Sequence, residues 1–457
     1  MKKVLLIAFS YPPFAGMGML RSLKFAKYLP AFGWQPIVLT IEAPIKVQPS
    51  PSYWFCDAAE GDLPQVEVIR TKHASPNLFL KSLMALNFFR RKETGGVAES
   101  KAGSPVATHK YLTLGIKRGL ISLWNDWLLF PDNAVGWYPY AVKGAMTYLR
   151  DHSVDVIFST SLPMTSHLIA NTLSRKTGIP WVADFRDPWS QGHYRETSRL
   201  RNRIDKCLET KTVKSASALI TVSEPLREEF LKIHRTFSQK SFVIYNGYDA
   251  DDYSNPERSV KRPMTITFTG RMYEIDFSSK GRTPSILFQS MAILFRDGRI
   301  PSDHLQCHIY GEYPRELTEM IAAYGLEKVV KCLGALPFRE AIKAQQDADA
   351  LLLLSWADGD RKGILTGKIF EYLGAKKPIL AVPYYNQGVD DILTTTRTGV
   401  TVTSVQTCIE TLWAWYRDFD TRGFLPYHGI PEVIEIYSRK KATEQLAAIL
   451  NQVSRSR

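Results

Sequence analysis

Apolar and polar positions along this chain fall into two long series with the same grammar. A continuous apolar run at residues 4–10 predicts a strand buried on both faces of a parallel sheet. A loop at 11–18 leads from it into a helix in which Leu20, Leu23, Phe25 and Leu29 recur at near-helical spacing. Further strands are predicted at 36–40 and 66–71. From residue 135 the alternation is regular: helix 136–150, strand 155–159, helix 164–176, strand 180–185, helix 197–215, strand 218–223, helix 225–233 and strand 242–245. Strands alternating with helices predict βαβ units and a parallel sheet.

Asn246-Gly247-Tyr248-Asp249 breaks the pattern, and the polar residues 250–262 read as a linker. The grammar then restarts, with strands predicted at 264–270, 305–311, 329–333, 350–355, 378–382 and 400–403. The fold expected is α/β, two Rossmann-like domains in tandem, with a cleft at the carboxyl ends of both sheets. The first spans residues 1–250 and the second 262–430, and a closing helix at 431–455 is placed to cross back onto the first. Within the first domain, residues 76–130 interrupt the alternation. Residues 93–108 are small and polar, as in a flexible insert. The flanking stretches are apolar and basic, with Lys110, Lys117 and Arg118 among Leu120, Trp124 and Trp127. That pattern fits a helix lying in a membrane interface as well as helices covering their own core.

Composition narrows the class. At 457 residues, with 45% hydrophobic and 12% aromatic content, the chain is long enough for two or three folded domains. Cys56, Cys207, Cys307, Cys332 and Cys408 are scattered and odd in number, with no CxxC pair, which argues against a disulfide framework or structural zinc and for a reducing compartment. The opening Met1–Phe14 imitates a signal peptide, but its apolar run is short and no small-residue cleavage site follows, so a buried first strand is expected. No apolar stretch approaches the length that spans a bilayer. The location expected is cytoplasmic, peripheral on the inner face of the membrane if the 76–130 segment contacts lipid. A net charge of +13 calls for an anionic partner.

Four stretches carry the chemistry. Gly16 and Gly18 stand between the first strand and helix, where backbone can approach a phosphate without Cβ obstruction. Arg21 at the third glycine position argues against a dinucleotide fingerprint. Residues 363–380 read as loop, helix, turn and strand, with Thr366 and Gly367 at the helix start and Gly374 with Pro378 closing it. Lys368 stands beside the anion-receptive helix end, and Glu371 lies one turn further on the same face. Gly270 and Arg271 end a predicted strand, with Lys280 shortly after, giving two cations to phosphate oxygens. Asp184, Arg186 and Asp187 gather at the carboxyl end of strand 180–185, as a ligand-facing cluster or a structural Asp–Arg pair. Asp358-Gly359-Asp360 imitates a metal motif but lies in a loop rich in Gly, Arg and Lys, and no metal is expected. The histidines show no ligand spacing, and no GxSxG signature occurs.

Taken in order, the opening loop and helix 10–29, ADFRDPWS, VIYNGYD, FTGRMY, HIYGEYP, LGALPF and TGKIFEYLGAKKPIL resemble retaining glycosyltransferase family 4, of the GT-B fold, and the resemblance spans nearly the whole chain. The Lys368–Tyr372 pattern resembles a branch that acts in surface-polysaccharide assembly. The resemblance implies that Gly16 and Gly18 face the donor diphosphate and the acceptor. It implies that Arg271 and Lys280 bind that diphosphate, and that Glu371 holds the ribose hydroxyls as the second glutamate of an EX7E motif. Where that motif places its first glutamate this chain has Gly363, and many members carry a histidine about where Arg186 stands. The implied partners are a nucleotide-diphosphate sugar donor, a glycan or lipid-linked acceptor and an anionic membrane surface, with no nucleic acid and no cofactor. The implied catalytic residues are Arg271 and Lys280, with Arg186 and Asp187 across the cleft, and Gly270, Gly367 and Lys368 join the donor site. Two other readings fit the same residues: a nucleotide-sugar epimerase of this fold, and a binding protein without turnover.

Overall fold

The computed structural model describes residues 1–13, 18–42, 65–74, 130–190, 198–254, 263–272, 282–355 and 365–455. Gly16, Lys280, Gly363, the Asp358–Asp360 motif and all but the last residue of the 76–130 insert lie outside these.

Two parallel sheets carry the chain. The first contains β1 (Lys2–Ile7), β2 (Trp34–Ile41), β3 (Glu67–Thr71), β4 (Val156–Thr160), β5 (Trp181–Phe185), β6 (Ala218–Thr221) and β7 (Ser241–Val243). The second contains β8 (Met264–Thr269), β9 (Leu305–Tyr310), β10 (Val330–Gly334), β11 (Ala350–Leu354), β12 (Ile379–Val382) and β13 (Gly399–Thr401). Strand order is β3-β2-β1-β4-β5-β6-β7 in one and β10-β9-β8-β11-β12-β13 in the other. In each sheet the first strand pairs on one side with the next and on the other with a later strand that follows a crossover. Strand order therefore reverses between β1 and β4, and between β8 and β11. Such switch points open a crevice at the carboxyl ends of the strands. The Gly18 loop leaves β1, Arg271 leaves β8, and the segment before Lys368 leaves β11, so three of the four stretches singled out by sequence emerge at the two crevices.

Continuous apolar runs become strands because both faces of each sheet are covered by helices. Leu5 and Ile7 of β1 join one buried cluster, while Val4 and Leu6 join the opposite one. The second sheet repeats this, with Leu352 and Leu354 on one face of β11 and Leu351 and Leu353 on the other. The closing helix Arg439–Arg455 lays Leu446, Leu450 and Val453 into the cluster of Val4 and Leu6, although it follows the second sheet in sequence. Lys2 Nζ donates to Ser454 Oγ at 2.8 Å along the same contact.

One buried polar chain crosses the first domain. Trp181 Nε1 donates to Ser159 Oγ at 2.8 Å, and that hydroxyl lies 2.8 Å from His167 Nδ1. The serine hydroxyl thus joins the indole to the imidazole. His167 is fully buried, and burial, only partly opposed by Asp184, pulls its pKa from the usual 6.5 down to about 3. An unfolded chain takes this proton below pH 6.5 while the folded one refuses it until about 3, so the stability His167 contributes is lost as pH falls through that window. The urea midpoint should therefore decline from pH 6.5 to about 5, where most carboxylates stay ionised, and decline less in His167→Gln. Equal slopes for the two proteins would contradict the assignment.

Candidate active site

The second domain's part of the site is built on the helix Gly367–Ala375. Ile369, Phe370, Tyr372 and Leu373 are buried against β11 and β12, which leaves Lys368 and Glu371, three residues apart, on the half-exposed strip. Thr366 enters the helix in an extended conformation without a side-chain cap. Lys368 Nζ stands 3.9 Å from Glu371 Oε2.

The lysine chain lies across Gly270, the residue after β8. A Cβ at Gly270 would fall 1.9 Å from Lys368 Cε, and its φ of +137° is one that side chains rarely adopt. Gly311, after β9, is constrained in the same way: its φ is +136° and a Cβ would lie 1.8 Å from the Gly270 carbonyl oxygen. Gly270 is thus required by its φ and by the lysine chain laid over it, Gly311 by its φ and by close approach of backbone, and Gly311 was not singled out by sequence. Burial lowers the Lys368 pKa most. Glu371 opposes that shift and the neighbouring charge of Arg282 adds to it. Arg271, one residue beyond Gly270, is 59% exposed and places Nε 3.0 Å from Glu312 Oε2.

In the first domain, Gly18 meets Arg186: a Cβ on Gly18 would lie 2.8 Å from Arg186 Nη1. Arg186 reaches its neighbour Asp187 at 3.4 Å. The loop carrying both is pinned from behind, because Trp189 Nε1 donates to Asp205 Oδ1 at 3.1 Å and the Ser190 amide to Glu209 Oε2 at 3.1 Å. Asp184 resolves to the structural alternative. It is fully buried, accepts two bonds from Arg21 at 2.9 and 2.8 Å, and takes a third from Thr160 Oγ1 at 2.8 Å. Arg21 spends its remaining donors on the carbonyls of Ile244 and Tyr245 and on Asn246 Oδ1.

The structure thus joins Gly18 with Arg186 and Asp187, and Gly270 and Gly367 with Lys368 and Glu371, with Arg271 at the rim of the second group. Between the groups runs the linker. Asp249 and Asp252 receive Lys24 Nζ at 2.5 and 2.9 Å, and Tyr253 donates its hydroxyl to the Glu371 carbonyl at 2.7 Å. Arg439, at the start of the closing helix, lies within electrostatic reach of both Arg21 and Glu371, and burial first, then Arg21, brings it down to about 10.

Gly374 has a different role from the one expected. The helix runs past it and ends on Lys376, whose φ of 56° is left-handed. At Gly374 a Cβ would sit 2.4 Å from the Tyr253 ring. Sequence also missed Gln345, whose Nε2 lies 2.9 Å from Thr269 Oγ1 and 3.3 Å from Glu371 Oε2. A signal existed: Phe338, Ala341, Ile342 and Gln345 share the buried face of one helix, so an amide occupies an apolar-face position. Among the described residues, no group of three or more His, Cys, Asp or Glu is placed to hold a metal ion. No helix among them is long and apolar enough to cross a membrane.

With this geometry in view, comparisons with known proteins are specific about fold. Residues 121–252 match Glycosyltransferase Family 4. Sucrose-phosphate synthase from Thermosynechococcus elongatus has a similar structure, with a TM-score of 0.59 and 14% identity over 100% of both chains. HepE from Anabaena in complex with UDP-glucose gives 0.58 at 15% identity, over 99% of this chain and 100% of that one. A point mutant of TarM from S. aureus, in complex with fondaparinux, alpha-GlcNAc-glycerol and UDP, gives 0.55 at 11% identity, over 99% of this chain and 100% of that one. The architecture is that of the GT-B fold, two α/β domains along the full chain. Curated protein sequences gave no match.

The Gly374 contact yields an outcome opposite in sign to helix propensity. Alanine is the better helix former by about 1 kcal/mol, but overpacking a rigid ring costs about 1–3 kcal/mol. Gly374→Ala should therefore lower stability in chemical denaturation, whereas a variant that also carries Tyr253→Ala should recover the helix-propensity gain at that position.

Proposed function

We propose that the protein transfers a glycosyl group from a nucleoside-diphosphate sugar to an acceptor hydroxyl. The observation that carries this reading is the placement of a half-buried lysine across Gly270, beside a carboxylate and an open helix start, at the switch point of the second sheet. Lys368 and the first amides of its helix suit a diphosphate, and Glu371 suits the vicinal hydroxyls of a ribose. The family match over residues 121–252 and the solved complex of HepE with UDP-glucose support the same donor class.

In this reading the bond between the anomeric carbon and the diphosphate oxygen breaks, and its electron pair leaves with the diphosphate. The acceptor oxygen bonds to the same carbon from the same face, and its proton passes to the departing phosphate, so configuration is retained without a dedicated base. Lys368, Arg271 and Lys280 stabilise the charge that develops on the leaving group. Arg271 gives up or shares Glu312 as it does so. Gly16 and Gly18 join the donor diphosphate and the acceptor in this reading, and Arg186, which meets Gly18, acts with Asp187 across the cleft. No metal or cofactor takes part. We assign the acceptor to the glycan or lipid-linked class that the sequence resemblance implies. The apolar, basic stretch at 110–130 supports peripheral contact with an anionic inner membrane surface.

Lys368→Met keeps the chain length that packs on Gly270 and removes the charge. It should lower kcat/KM with the best of a panel of nucleotide sugars by about 10²–10³-fold. Because Lys368 lies below the ordinary lysine range in the free protein, wild-type kcat/KM should fall on the alkaline side earlier than an ordinary lysine would allow. In Lys368→Arg that limb should move to higher pH. Wild-type turnover in Lys368→Met would sink the assignment.

A further inference from the structure

Glu371 is the carboxylate to which the donor reading entrusts the ribose, and a glutamate that is about one-quarter exposed has three torsions with which to leave that position. Its backbone is fixed by the Tyr253 hydroxyl on the Glu371 carbonyl. Among the described residues its carboxylate is reached by two side chains, Lys368 at 3.9 Å and Gln345 at 3.3 Å, both at Oε2. Of these, only Gln345 lies within hydrogen-bond distance.

Gln345 is held more firmly than what it holds. It is 1% exposed, on the helix Phe338–Asp347, with Phe338, Ala341 and Ile342 on the same buried face. Its Nε2 also donates to Thr269 Oγ1 at 2.9 Å, at the end of β8 and directly before Gly270. The Thr269 amide in turn donates to the Tyr372 hydroxyl at 3.2 Å, one residue from Glu371. The direction of the amide is decided by Glu371, because a carboxylate only accepts and must therefore face Nε2. That direction leaves Gln345 Oε1 buried with no hydrogen-bond partner among the described residues. An orphaned buried acceptor is unfavourable, and an apolar residue of the same shape would avoid it. The amide thus serves two acceptors, the Thr269 hydroxyl and the Glu371 carboxylate, and the second of these is the group that the donor reading sets on the ribose.

We propose that Gln345 is a positioning residue: it aims the Glu371 carboxylate at the ribose hydroxyls and so sets the preference for ribonucleotide over deoxyribonucleotide donors. This rests on the donor reading above. Its place is one helix behind the ligand, and it touches neither sugar nor phosphate.

The test is calorimetric, on the full-length protein. UDP, GDP and ADP are compared first, and the one that binds tightest is then paired with its 2′,3′-dideoxy counterpart. The wild-type protein should prefer the ribose form by about tenfold or more, the worth of hydrogen bonds to a charged group. Gln345→Met, matched in length and apolar, should bring the ratio to within about threefold while leaving affinity for the dideoxy form nearly unchanged, since that form does not use the carboxylate. Gln345→Leu should do the same, and thermal melting of both variants reports that they are folded. A Gln345→Met or Gln345→Leu protein that keeps the wild-type ratio, while Glu371→Gln loses it, overturns the role of Gln345 and leaves the donor reading standing. A wild-type protein that binds none of the three diphosphates, or a Glu371→Gln protein with an unchanged ratio, overturns the donor reading itself and this inference with it.

Discussion

The first helix, Met19–Tyr28, carries cations that its own turns cannot satisfy, and much of the structure follows from where their partners are. Arg21 is 1% exposed and needs acceptors for all of its donors. It finds them in Asp184 at the end of β5 and in the carbonyls where the chain leaves β7. Lys24, 4% exposed, finds Asp249 and Asp252 in the linker. Stripping one partner from such a buried pair leaves an uncompensated charge and costs about 3–5 kcal/mol. The end of β5 and the segment from Ile244 to Asp252 are thereby held to one helix, and Gly18, at that helix's amino end, is held with them. The meeting of Gly18 with Arg186 follows, since Arg186 lies two residues beyond Asp184.

The same linker then reaches the second domain. Within four residues it passes from Asp249, which Lys24 holds well below the usual carboxylate range at about 2, to Tyr253, whose hydroxyl bonds the Glu371 carbonyl and whose ring fills the space left by Gly374. Tyr437, immediately before the closing helix, packs on Tyr245 and Phe370, and the Arg439 amide donates to the Tyr248 carbonyl at 2.7 Å. The helix carrying Lys368 and Glu371 is therefore positioned by the chain between the domains as well as by its own sheet. A shift of the linker relative to the first helix would move the backbone of Glu371 directly.

What could be read from the sequence was what periodicity reports. Strands buried on both faces write themselves as continuous apolar runs, so β5, β8 and β11 were found to within one residue and β1 to within about three. The glycines at 18 and 270 were singled out by their place after strands, and the structure shows a basic side chain packed closely on each. What stayed hidden were pairings set by tertiary packing. Asp184 read as readily for a ligand as for a structural pair, because its partner Arg21 is 163 residues away. Gly374 looked like a helix terminator, since sequence cannot show an aromatic ring arriving from a linker 121 positions earlier, whereas the actual stop, Lys376, is a residue type that rarely takes a left-handed φ. Gln345 left the faint trace of an amide on an apolar stripe, and only the structure says which carboxylate it serves.

The two described cations at the end of β8 differ in a way that decides their weight in the proposed chemistry. Arg271 is 59% exposed and has Glu312 at 3.0 Å, so a phosphate there competes with a carboxylate and with water. Lys368 has 23% of its side chain exposed and stands 3.9 Å from Glu371, with Arg282 adding positive potential. A charge in that setting interacts with a developing anion through a lower dielectric than one on the rim, and a unit charge at 4 Å gains several-fold as the effective dielectric falls from that of water toward about 20. The cost is the depressed pKa, since desolvation weakens the lysine's hold on its proton until an anion arrives. A half-buried, partly offset ammonium gains more from a doubly charged ligand than from the solvent it displaces. Of the two, Lys368 is the one on which departure of a diphosphate would chiefly depend, and Arg271 the one that would draw it in.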